Sequence, residues 1–204
     1  MIIFPSGIGI TDTENKTLLH IVSDPEAWLL ATIAEKARLR RDALIKEWRP
    51  RLFADPAVTE LPADDEALCE LIMARDDYKT RLQHDAAQDP PVLPRKYVTA
   101  KFDGTSRAGK TVRRPDRVPG DATVTLFSSG INLTDIDVNC IQAYVQDLSD
   151  WVIGALMGQI NRGKKQMISK YEPIIRADPS VTTMPATEIG LINMIVARSD
   201  YRAA

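Results

Sequence analysis

A shift of 123 residues lays positions 1–81 of this chain over positions 124–204 without a gap, and 24 of those 81 pairs are identical. An internal repeat limits the fold more than composition does, because two diverged sequences must reach the same local structure. The matched landmarks are Phe4 with Phe127, Ser6-Gly7-Ile8 with Ser129-Gly130-Ile131, Thr11-Asp12 with Thr134-Asp135, and Trp28 with Trp151. Further on, Asp55-Pro56 matches Asp178-Pro179, and Arg75-x-Asp77-Tyr78 matches Arg198-x-Asp200-Tyr201. The chain therefore reads as a helical module over 1–81, a second copy over 124–204, and a linker over 82–123.

Each copy checks the elements read from the other. Both open on a short β-type run, 1–4 and 124–127, closed by Pro or Ser and then Gly. A helix follows in each: Thr11-Asp12-Thr13-Glu14 and Thr134-Asp135-Ile136-Asp137 are capping-box patterns ahead of apolar residues. The next helix starts where Asp24, with Pro25 at the first helical position, and Asp147 can cap. It is long, because apolar positions shared by the copies recur at threes and fours from 28 to 52 and from 151 to 175. Pro50 and Pro173 fall near its last turn, where a lost hydrogen bond would kink the helix or release it into the Ala-Asp-Pro turn. A third helix begins after Pro62 or Pro185 and ends at Ala-Arg-x-Asp-Tyr. The expected fold is mainly α with minor β: two tandem modules of one short strand plus three helices.

The linker has a different character. Positions 91–120 hold Arg95, Lys96, Lys101, Arg107, Lys110, Arg113, Arg114 and Arg117 against Asp103 and Asp116, so 8 − 2 gives a net charge of +6. The first copy carries 11 basic and 15 acidic residues and the second 7 and 8, so a near-neutral total hides segregated charge. Tyr97 to Phe102 alternates like a strand, Asp103-Gly104 is a turn signal, and 111–114 can return as the partner strand, which predicts a basic β-hairpin. The same stretch spells G-x-x-x-x-G-K-[ST] from Gly104 to Thr111. That motif binds phosphate only when a helix begins at its Lys. Here Pro115 and Pro119 follow closely, so a P-loop nucleotide hydrolase is the third reading. A nucleic-acid grip by the eight cations is the second, because Lys and Arg neutralising phosphates supply affinity without sequence preference.

With 44% hydrophobic and 26% charged residues the chain falls outside collagen-like, disordered and membrane classes. No apolar run nears the roughly 18 residues of a membrane helix, and the start lacks the order of a secretory signal, so cytoplasmic assembly without a membrane partner is expected. Cys69 and Cys140 lie 140 − 69 = 71 residues apart at non-equivalent positions, which predicts buried free thiols. With His20 and His84 alone beside them, neither metal nor cofactor is expected. Trp28 and Trp151 are expected in the core. Arg75, Asp77 and Tyr78, and Arg198, Asp200 and Tyr201, read as a helix end closed by an ion pair; a catalytic Arg-Asp-Tyr set is the alternative, with no nucleophile nearby. Gly158 and Gly163, inside the second long helix, suggest close approach of another backbone there, or a local kink.

The pattern Asp-x3-Trp, aromatic-x-Pro, Ala-Asp-Pro-x-Val-Thr-x2-Pro-Ala and Ile-x-Ala-Arg-x-Asp-Tyr-[Lys/Arg] runs from Asp24 to Lys79 and again from Asp147 to Arg202. It resembles small virion-associated structural proteins of tailed bacteriophages, of which this chain would be a tandem version; the basic linker departs from them. The resemblance implies a non-enzymatic part of a capsid, collar or tail, assembled in the host cytoplasm. Its implied partners are other virion proteins and itself, and no catalytic residue carries over.

Overall fold

The structure, a computed structural model, describes residues 1–87 and 122–203. Among these the chain is mainly helical. Each helix of the first copy has a counterpart 123 residues on: α1 Asp12–Leu19 with α5 Asp135–Gln142, α2 Pro25–Ala54 with α6 Leu148–Ala177, and α3 Asp65–Met73 with α7 Glu188–Val196. A short α4, Arg81–Ala87, follows the first copy and lies where the linker was expected to begin. Each copy also carries a second strand beyond the one that alternation predicts: β1 Ile2–Ile3 and β2 Ile8–Thr11 in the first, β3 Thr123–Leu126 and β4 Ile131–Asn132 in the second. The predicted hairpin at 97–102 and 111–114, the motif at 104–111 and the eight linker cations lie outside the described residues.

Local sequence sets the helix starts. Thr11 accepts from the Glu14 N–H at 3.2 Å while Glu14 accepts from the Thr11 N–H at 2.7 Å, a complete capping box. Thr134 accepts from the Asp137 N–H at 3.1 Å. Asp24 accepts from Ala27 N–H at 3.0 Å and Asp147 from Asp150 N–H at 3.1 Å, so both long helices begin one residue after their Asp. Pro50 and Pro173 end neither helix; each runs on to Ala54 or Ala177. Both prolines are exposed, as are Lys46 and Ser169 one turn earlier, so the carbonyl that loses its donor faces water. The buried stripe of α2 is Leu29, Ile33, Ala37, Leu44, Trp48 and Leu52; that of α6 is Val152, Leu156, Ile160, Met167, Tyr171 and Ile175. Trp28 and Trp151 are half-buried, not core residues. Each sits one position, about 100° of helix, off the stripe.

The described residues pack as two compact units, and these cut across the repeat. One contains Met1, residues 32–87 and Asn132–Trp151; the other contains Ile2–Ala31, residues 122–131 and residues 152–203. The first unit sets α5 of the second copy against α2 and α3 of the first: Cys140, Ile136, Ala143 and Tyr144 pack with Leu44, Trp48, Leu68 and Ile72. The second unit sets α1 of the first copy against α7 of the second, with Gly163 of α6 close to Thr17. Modules 1–81 and 124–204 are thus repeats of sequence and of local structure, while the packing units exchange their leading segments.

Strand pairing fixes the exchange. β2 runs antiparallel to β3, with Ile8 opposite Leu126 and Thr11 opposite Thr123, and β1 pairs with β4. Segments 1–4 and 124–127 are therefore each paired on one side within the chain. The turn before β2 or β4 recurs in detail: Phe4 and Phe127 hold φ of 51° and 52°, rare for a residue with a Cβ. Gly7 donates to Phe4 carbonyl at 2.8 Å and Gly130 to Phe127 carbonyl at 2.7 Å. At Gly7, with φ +75°, a Cβ would lie 2.7 Å from the Leu126 carbonyl oxygen, so both backbone angle and space require glycine.

Candidate functional site

Asp55, Arg75 and Asp77 and their counterparts Asp178, Arg198 and Asp200 form one arrangement, built twice. After α2 the chain turns at Asp55-Pro56, and Asp55 Oδ1 accepts from the Ala57 N–H at 2.9 Å. Just past α3, Arg75 donates through Nη1 to Asp55 Oδ2 at 2.7 Å and through Nε to Asp77 Oδ1 at 2.9 Å. In the second copy Arg198 donates to Asp178 Oδ2 at 3.0 Å and to Asp200 Oδ1 at 2.8 Å, and Asp178 Oδ1 accepts from the Ser180 N–H at 3.0 Å and hydroxyl at 2.6 Å. Each Arg ties the end of a short helix to the turn that leaves a long one. A guanidinium suits the task, because its fork can hold two carboxylates at once.

The aromatics complete the joint. Tyr78 packs against Trp48, ring centroids 6.1 Å apart, and Tyr201 against Tyr171 at 5.7 Å. Trp48 and Tyr171 occupy equivalent positions, and Arg75 also lies over the Trp48 ring. The shared Trp151 instead lies under the Lys36 ammonium, 5.3 Å from its ring centroid.

Charge settles what the clamps can do. The Ala57 N–H and then Arg75 hold the Asp55 carboxyl below its ordinary range, and Ser180 and then Arg198 do the same for Asp178. Asp77 and Asp200 are held down by the same two arginines, whose own pKa is raised. Burial pushes the Tyr78 phenol up to about 12, and its hydroxyl meets no hydrogen-bond partner among the described residues. Carboxylates that stay ionised, cations that cannot release a proton and a phenol that stays protonated do not make an acid–base pair near neutral pH. The arrangement is suited to holding a turn.

Elsewhere on the first unit, a groove of about 570 Å³ runs along the end of α2 beside Ile45, Pro50 and Phe53, with Asp42, Lys46 and Arg49 at its margin. Phe53 is 74% exposed, unusual for so large an apolar side chain. The equivalent residue in the second copy is Arg176, so repetition gave no signal for this groove. Nor did sequence reasoning single out Trp48 with Tyr171; the shared aromatic-x-Pro pattern was the available cue. Among the described residues no helix is long and apolar enough to cross a membrane. No family model matches this chain, and no curated protein or solved structure matches it either.

Proposed function

We propose that this protein is a non-enzymatic structural component of a phage particle, associated with its capsid, collar or tail and acting through protein–protein contacts. One observation carries the reading: the repeated Arg75 and Arg198, with Asp55 and Asp77 or Asp178 and Asp200, are consumed within the fold as paired charges. What repetition preserves is thus a joint, while large apolar groups such as Phe53 remain on the surface for contact. The virion assignment rests on the sequence resemblance from Asp24 to Lys79 and from Asp147 to Arg202. Mass spectrometry of purified particles tests it: stoichiometric presence is the expected result, and absence overturns the reading. Phe53→Glu is expected to reduce incorporation while leaving helix content unchanged.

The basic linker favours a second reading, nucleic-acid binding, through its eight Lys and Arg against two Asp over 91–120. Steeply salt-dependent binding to arbitrary DNA, lost on neutralising Arg113, Arg114 and Arg117, would identify it.

A further inference from the structure

The chain has two cysteines, one in each copy, and the fold brings them together. Cys69 on α3 and Cys140 on α5 are both fully buried and free, with their Sγ atoms 3.9 Å apart inside the first unit. Arg41 stands close to Cys140. It donates to Asp137 at 2.7 Å and to Glu66 at 3.3 Å, and its Nε is buried with no hydrogen-bond partner among the described residues. The unpartnered Tyr78 hydroxyl belongs to this cluster too. Two adjacent thiols, a cation and a phenol, with two buried polar atoms unsatisfied, exceed what apolar packing requires. The equivalent place in the second unit holds Ile192 and Thr17, so the feature is confined to one unit.

We propose that Cys69 and Cys140 form a redox site, a dithiol that a small peroxide converts to a disulfide joining the two copies of the repeat. The thiol proton of Cys69 and the Arg41 charge favour the ionised form of Cys140. Cys140 in turn, with burial, holds Cys69 protonated. Cys140 is accordingly the attacking thiolate. Its sulfur attacks one peroxide oxygen, the O–O bond breaks, and the departing hydroxide takes up a proton to leave as water. The Cys69 thiol then gives up its proton and attacks the Cys140 sulfenic sulfur, the S–O bond breaks, and a second water leaves. Two thiols are oxidised and one peroxide is reduced to two waters. The sulfurs must close from 3.9 Å to the ~2.05 Å of a disulfide. A small oxidant suits a site with no exposed sulfur. The inference is independent of what the protein assembles with.

Hydrogen peroxide applied to the folded full chain, followed by alkylation of remaining thiols, proteolysis and mass spectrometry, tests it. The expected result is a linked Cys69–Cys140 peptide, an intact mass lower by two hydrogens, no intermolecular species and reversal by dithiothreitol. In Cys69→Ser a sulfenic acid at Cys140 is expected to accumulate and be trapped by dimedone, at a peroxide dose that leaves Cys69 in Cys140→Ser largely unmodified. Circular dichroism of both variants checks the fold, and the wild-type result stands without them. Cross-links between chains, sulfinic acid as the main product, or reaction only after denaturation would overturn the proposal.

Discussion

His20 stands where the second copy has Ala143, and its surroundings make it sensitive to acid. It stacks on Tyr201 at 5.7 Å and meets Tyr171 edge-on at 6.1 Å, with Nδ1 buried and unpartnered among the described residues. Burial first, then the Lys170 charge, lowers its pKa below the ordinary value. Between that lowered value and about 6.5 the unfolded chain binds more protons, so stability rises with pH across the window and is lost on acidification through it. The stability of the second unit, followed by amide protection in hydrogen exchange, is expected to fall as pH drops below about 6.5. His20→Gln should flatten that slope, and an unchanged slope would refute the assignment. The clamps titrate lower. Asp55 and Asp178 have depressed pKa values, so their contribution is present above the ordinary carboxylate range and disappears as pH falls through the folded value. Asp55→Asn is expected to lower the midpoint at neutral pH and to weaken acid denaturation below about pH 4, measured by thermal melts across pH. These roles were partly legible. Arg75, Asp77 and Tyr78 were readable as a helix end because they recur, but the reach of Arg75 to Asp55, 20 residues away, was not.

Helix starts followed from the sequence because caps are local, whereas the consequences of two glycines in α6 depend on what the helix touches. A Cβ at Gly163 would run into the Thr17 carbonyl oxygen of α1, a backbone atom that cannot swing aside; a Cβ at Gly158 would meet nothing within 4 Å. The expected close approach therefore holds at one glycine and fails at the other. Gly158→Ala should stabilise by roughly 0.5–1 kcal/mol from reduced chain entropy alone. Gly163→Ala gains a similar amount of helix propensity, about 1 kcal/mol. Against that it overpacks the interface at a typical cost of about 1–3 kcal/mol, so net destabilisation is expected. Denaturant melts of the two variants should move in opposite directions. In the first unit the equivalent of Gly163 is Arg40, whose guanidinium lies 4.7 Å from the Tyr144 ring centroid, while Gly163 has Ile21 close by. The same helix pair is filled differently in each unit.

Across the whole molecule, the pattern that revealed the repeat could not reveal the exchange. Both copies carry the same apolar spacing, so periodicity says that α1 packs on a long helix without saying whose. One trace was present: Tyr171 faces His20, while Ala143, smaller, packs against the cluster that holds the larger Trp48. Those volumes balance only when each copy contributes to the other's core. Cleavage at a protease site placed within residues 88–121 is accordingly expected to leave two fragments that coelute on gel filtration and separate only in denaturant. Fragment 1–87 alone should fail to give a cooperative melt, because Leu68, Ile72 and Leu44 lose the α5 side chains that cover them. Separation of the cleaved fragments in native buffer would contradict the exchange.

Gene duplication ordinarily leaves one daughter free to drift or be deleted. Here each daughter lends the other a wall of its interior, so every substitution in α1 is judged by α6 and α7 of the other copy. The halves can diverge only together, and neither can be discarded.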